Sequence, residues 1–147
     1  MVVTTAAHGG DDHGRRSTVI AVRIPHRAPV HCLADSAACI THGIIVRATV
    51  QMDSPGALAG VVRPGWLIEV AAQACAAAGV VDASAAIRRG MLVSVKDWQW
   101  HCTMPVGVDM VVQVVGGAAL GTMIEYRCTL TRDNQCVAEG SLVVIHQ

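Results

Sequence analysis

The sequence predicts an α+β domain in which a curved antiparallel sheet wraps around one central, Ala-rich helix. Three observations carry this. Residues 66–81, WLIEVAAQACAAAGVV, are apolar or small at every position except Glu69 and Gln73, the composition of a helix buried on all sides. Beyond Gly90 the apolar period changes to two, the period of half-buried strands. Between these runs the chain is punctuated by His42-Gly43, Pro64-Gly65 and Asp133-Asn134, pairs that turn it back on itself.

Residues 19–24, VIAVRI, form a first strand or an extended lead-in that stops at Pro25, because the residue before a proline is driven away from helical geometry. Residues 30–41 show no clear period and run into the His42-Gly43 turn. Over 44–52, Arg47, Thr49 and Gln51 alternate with Val46, Ala48, Val50 and Met52, which makes a half-buried strand. Residues 53–63, DSPGALAGVVR, read as a loop. Pro64 lacks an N–H and has a fixed φ, so it suits a helix entrance, and Gly65 lets a ligand approach the first-turn amides. Ala71, Ala72, Ala74, Ala76, Ala77 and Ala78 combine high helix propensity with little bulk, so a sheet can close over them. Gly79 is a weak point near the helix end, and 82–89 connects onward with room for a short helical turn.

The second half of the chain is strand-like. Residues 91–104 set Asp97, Gln99, His101 and Thr103 on one face against Trp98, Trp100, Cys102 and Met104. A turn at 105–107 leads to a strand over 109–115 that Gly116-Gly117 breaks. Residues 120–131 point Glu125, Arg127 and Thr129 outward and Ile124, Tyr126, Cys128 and Leu130 inward. A hairpin turn at 132–135 and a closing strand at 136–145 finish the pattern.

The 147 residues divide most simply into a flexible tail, 1–18, and one folded domain, 19–147. Eleven basic and eleven acidic residues give zero formal charge, without the basic footprint of a nucleic-acid or membrane-surface binder. Hydrophobic content of 52% against 15% charged, where about 25% is usual, predicts apolar surface covered by a second subunit, in the simplest case a homodimer. The six cysteines are scattered without a CxxC pair, which points to buried reduced thiols instead of disulfides or a zinc site; no metal site is assigned. The tail, MVVTTAAHGGDDHGRRST, has no apolar core of signal-peptide length, so a cytoplasmic protein is expected, with His8 and His13 idle in solvent. Glu69 and Gln73 interrupt the apolar helix, which argues against a membrane span.

Glu69 and Gln73 are four residues apart and share a helix face. A carboxylate on a helix with so few polar positions points to the lining of a site. The structural alternative is an acid favoured by the positive end of the helix dipole. Gln73 fits better as a tether that satisfies a loop carbonyl.

The order strand, strand, helix and then three or four long antiparallel strands resembles the hotdog fold. Local motifs bring it nearest to the 3-hydroxyacyl-[acyl-carrier-protein] dehydratase branch: Ile24-Pro25-His26-Arg27-Ala28-Pro29, Pro64-Gly65, Glu69-Val70-Ala71-Ala72-Gln73, and a glycine-led strand with a proline-bounded turn over 90–107. The resemblance covers roughly residues 20–145. It implies dehydration of a 3-hydroxyacyl thioester on acyl carrier protein or coenzyme A, in fatty-acid-like or polyketide-like (polyene) synthesis, without a cofactor. Glu69 then takes the acid or water-positioning role, amides at Gly65 and Trp66 hold the thioester carbonyl, and Gln73 joins the substrate-binding set.

The sequence departs from that pattern in two places. The interval from Pro64 to Glu69 is slightly short, and the loop that carries the family's catalytic histidine reads SPGALAGV over 54–61, with no histidine. His26 is the first replacement, followed by His101; His31 and His42 have no motif around them. Arg88 and Arg89 are placed to meet a carrier-arm phosphate, or form a solvated basic pair. The missing histidine keeps two other functions open: a non-catalytic acyl-binding or heterodimer-partner subunit, and an acyl thioesterase in which Glu69 directs a water.

Overall fold

The computed structural model, which describes residues 18–22, 24, 30–81 and 90–147, packs one helix against an antiparallel sheet. In chain order the elements are β1 (Val19–Ala21), β2 (Leu33–Ile40), β3 (Gly43–Ala48), β4 (Ala57–Leu58), β5 (Val61–Val62), α1 (Pro64–Val81), β6 (Gly90–Trp100), β7 (Met110–Leu120), β8 (Met123–Arg132) and β9 (Gln135–His146). Seven strands pair in the order β1-β2-β3-β7-β8-β9-β6, and β4-β5 form a small separate hairpin. Every pairing is antiparallel.

Helix α1 packs on β2, β3, β6, β7, β8 and β9. Val70, Ala71, Ala74 and Cys75 are fully buried, as are Val112, Val114, Cys128, Leu130 and Leu142 on the facing strands. Small helix residues permit that approach: a Cβ added at Gly90 would stand 3.1 Å from the Ala76 Cβ. Among the described residues no helix is long and apolar enough to cross a membrane.

The inward set predicted on β8 is buried at Tyr126, Cys128 and Leu130. The hairpin at 132–135 turns through positive φ at Asp133 (48°) and Asn134 (61°), the geometry that matches a right-twisted strand pair.

Four expectations change. The strand predicted over 44–52 ends at Ala48, beyond which the Gly107 N–H reaches the Val50 carbonyl. The loop at 53–63 contains the β4-β5 hairpin, turned through Ala59 (φ 50°) and Gly60 (φ 80°). Gly116-Gly117 does not end its strand: β7 runs through the pair with a register shift between Gly116 and Ala119, and the Gly116 N–H is held by the His42 carbonyl at 2.6 Å.

The fourth change is in β6. Strict alternation fails because Asp97 (φ 50°) and Trp98 together face the single residue Gly140, a β-bulge between Lys96 and Gln99. The strand stops at Trp100 instead of Met104, since the His101 and Cys102 N–H groups both turn to the Val137 carbonyl, at 2.8 and 3.4 Å.

All six cysteines are thiols, none in a disulfide. The tail over 1–17, the proline-bounded 25–29 segment with His26, and the 82–89 connection with Arg88 and Arg89 lie outside the described residues.

Candidate functional site

The polar interruption of α1 is a connected unit. Gln73, only 1% exposed, donates through Nε2 to the Val30 carbonyl at 2.8 Å and to Glu69 Oε1 at 3.0 Å. Its Oε1 accepts the Cys32 N–H at 3.0 Å. One amide therefore ties the entry to β2 onto the helix and orients the Glu69 carboxylate. Both of its amide hydrogens are engaged inside the protein, in the manner of the tether that its position suggests.

Glu69 is half-buried one turn into α1. Beside it lies a neighbour that the sequence did not reveal. The Cys32 thiol donates to the Val30 carbonyl at 3.2 Å. Burial pushes its pKa up, the Trp66 indole opposes part of that shift, and the negative charge of Glu69 adds to it. Cys32 is therefore a protonated thiol at neutral pH and a poor nucleophile.

At the helix entrance the two predicted carbonyl-holding amides differ. The Trp66 N–H donates to the Arg63 carbonyl at 2.9 Å. Gly65 is exposed, with open space where a Cβ would stand, and its N–H belongs to the helix's unpaired first turn. The Trp66 indole lies against Gly56, where an added Cβ would come within 2.1 Å of the ring. Its Nε1 is buried without a hydrogen-bond partner of ordinary geometry among the described residues. Ser54 Oγ accepts the Gly56 N–H at 3.1 Å, and the Gly56 carbonyl accepts the Arg63 N–H at 2.7 Å. Trp66 is thus seated on the loop that would carry a histidine in the resembled family.

The described histidines are occupied at other positions. His31 Nε2 meets the Leu33 carbonyl at 2.8 Å, and His42 occupies the β2-β3 turn with φ 59°. His101 Nε2 pairs with Glu139 Oε1 at 3.4 Å, and His146 Nε2 meets the Tyr126 hydroxyl at 2.8 Å. A depression of about 310 Å³ is lined by His31, Cys32, Arg47, Thr49, Gln51 and Asp109, together with Leu33 and Ala34. Glu69 and Gly65 do not line it.

One helix held in an antiparallel sheet, with a helix carboxylate oriented beside an open Pro-Gly entrance, defines a hotdog-fold protein. The ApeP-like family, described as ApeP dehydratase, matches residues 18–147, and the chain belongs to that family. No curated protein sequence gives a significant match.

Solved structures share the fold at low identity. The dehydratase heterocomplex ApeI:P from Xenorhabdus doucetiae aligns with a TM-score of 0.71 and 17% identity over 84% of this chain and 88% of that one. The smu.793 protein from Streptococcus mutans UA159, bound to acetyl CoA, aligns at 0.62 and 12% identity over 92% of this chain and 97% of that one. A hypothetical thioesterase with coenzyme A from Streptococcus pneumoniae TIGR4 aligns at 0.60 and 11% identity, over 76% and 84%.

Proposed function

We propose that this chain contributes the carboxylate side of a site that dehydrates a 3-hydroxyacyl thioester, and that it works joined to a second hotdog subunit. The observation that carries the reading is the Glu69–Gln73 pair, a carboxylate held by a buried amide in a chain of the ApeP-like dehydratase family. Dehydration needs a base to remove the proton beside the thioester carbonyl, a donor to hold the charge that collects on that oxygen, and an acid to protonate the departing β-hydroxyl. In this reading Glu69 is the acid and the Gly65 N–H is the donor. His26 is the base within this chain. The thioester is carried on acyl carrier protein, in fatty-acid-like or polyene synthesis, with coenzyme A as the other carrier.

A second reading has its own support. The loop at 54–61 has no histidine, and the ApeP-related structure is a heterocomplex, so a partner subunit is the other source of the base. The pairing surface in both readings is β6, the terminal strand of the sheet. It exposes Met91, Leu92, Val93, Val95 and Trp100.

The test is conversion of 3-hydroxyacyl-carrier protein to the enoyl form by the purified chain, alone and mixed with a hotdog relative encoded beside it. Activity alone that is lost in His26→Asn supports the first reading. Activity only on mixing, unaffected by His26→Asn, supports the second. Under either, Glu69→Gln lowers kcat by about 10²–10⁴-fold, the range for loss of a general acid. Release of free thiol without enoyl product would overturn both in favour of a thioesterase.

A further inference from the structure

Where β6 stops, three metal-ligating side chains converge that play no part in the proposed acyl site. His101, Cys136 and Glu139 bring an imidazole nitrogen, a thiol sulfur and a carboxylate oxygen within 4.8 Å of one another. On a regular strand, residues three apart face opposite ways. Cys136 and Glu139 share a side because Val137 is an extra residue in β9: Thr131 pairs with Cys136 and Leu130 with Ala138, which leaves Val137 opposite nothing. The carbonyl of that same bulged residue anchors the N–H groups of His101 and Cys102, and this delivers the imidazole to the other two groups. A backbone irregularity thus assembles the cluster from two strands.

We propose that His101 Nε2, Cys136 Sγ and a Glu139 carboxylate oxygen bind one divalent cation of the zinc class. One imidazole, one thiolate and one carboxylate form a borderline-soft donor set, which suits Zn²⁺ and leaves Mg²⁺ or Ca²⁺ poorly matched. Tetrahedral zinc ligands about 2.0–2.3 Å from the ion lie about 3.3–3.7 Å from one another. His101 Nε2 and Glu139 Oε1 already stand at 3.4 Å, so it is mainly the thiol that must draw in. The Cys136 thiol is held above its usual range, by burial first and then by the neighbouring Glu139 and Cys102 charges. A cation reverses that balance: the metal takes the thiolate, the thiol proton leaves to solvent, and the carboxylate becomes a ligand instead of a repelling neighbour. Cys102 is not a ligand, because its thiol turns to the Cys136 carbonyl at 3.7 Å. The fourth position faces solvent. The bound ion would clamp the end of β6 to β9, next to Trp100, whose indole N–H donates to the Pro64 carbonyl at the helix entrance.

The experiment uses the full chain, reduced with a non-thiol reductant, stripped with a chelator and titrated with ZnCl₂ against a chromogenic competitor. A parallel CoCl₂ titration is followed by thiolate-to-cobalt charge-transfer absorption. The expected result is one equivalent bound with a thiolate–cobalt band. Cys136→Ser, which should also abolish the band, and His101→Asn each weaken binding by at least about tenfold. Cys102→Ser and the tail double substitution His8→Ala/His13→Ala should leave both readouts intact. Absence of saturable binding, a cobalt complex without the thiolate band, or loss confined to the tail substitution would each overturn the proposal. Where a variant fails to fold, protection of the Cys136 thiol from alkylation by bound zinc, mapped by peptide mass in the unsubstituted protein, decides the matter, and a Cys136 alkylated as fast with zinc as without it overturns the proposal.

Discussion

Both amide hydrogens of Gln73 are committed, one to Val30 and one to Glu69, and its oxygen takes the Cys32 N–H. Gln73→Leu keeps the volume and leaves a backbone donor and acceptor without their side-chain partner, which should cost about 2–4 kcal/mol in urea denaturation. If Glu69 is the proposed acid, the same change should lower kcat more than it alters KM, because the carboxylate loses its orientation. Cys32 gives a pH prediction. Its pKa is raised in the folded state, so its contribution to stability is complete below the unfolded thiol value near 9.0 and is lost as pH rises from there toward the folded value. Cys75, also raised by burial, and Cys136 add to the same fall. Cys32→Ala should therefore flatten, without abolishing, the loss of denaturation midpoint above pH 9. At this scale the sequence revealed what spacing can reveal: residues four apart on a helix meet, and Glu69 and Gln73 do. It did not show Cys32, which is 41 residues from its amide partner Gln73 and is brought there by a tertiary hydrogen bond that no local period encodes.

Helix α1 continues past Gly79, although glycine is a poor helix former. The reason lies on another element: a Cβ at Gly79 would fall 2.1 Å from the His146 ring, and that ring is fixed by the Tyr126 hydroxyl at 2.8 Å. Gly→Ala within a helix ordinarily stabilises by about 1 kcal/mol. Here the sign should reverse, to a destabilisation of about 1–3 kcal/mol from overpacking, measured by chemical denaturation. Gly79→Ala combined with His146→Ala should cost less than the sum of the two single changes. A stabilised Gly79→Ala would show that the helix and β9 can move apart. The same contrast explains which elements were legible. The helix over 66–81 and the β8 alternation read correctly, because an all-apolar composition marks a buried helix and a period of two marks a half-buried strand. Gly116-Gly117 and the 91–104 run misled, because glycines and a positive-φ Asp97 mark irregularities set by distant partners, the His42 turn and Gly140 of β9. Local pattern carries the regular elements, and the irregular ones answer to neighbours far along the chain.

In the whole molecule the two edges of the sheet are unequal. At one end β1 is three residues long, while at the other β6 offers eleven. A long edge strand presents unpaired backbone donors and acceptors, and such edges are normally shortened, charged or covered. Strand β6 has Lys96 and Asp97 near its middle, but Met91, Leu92, Val93 and Val95 precede them with 40–51% of their surface exposed. An apolar patch of this kind on a chain with only 15% charged residues is the kind of surface that marks an interaction site, and it is the interface proposed above. Where the base comes from the partner subunit, its position depends on where that partner sits, so assembly and chemistry share one test. Val93→Lys/Val95→Lys places two ammonium groups on the proposed interface and, in a self-paired dimer, sets them against their own copies. Like charges across an interface cost several kcal/mol, so the dissociation constant in sedimentation equilibrium should rise by about two orders of magnitude. The far-UV circular dichroism should be unchanged, since both side chains are half-exposed within the chain. A variant that stays assembled would move the interface away from β6, and dehydratase activity that survives in a monomer would separate Glu69 chemistry from any partner.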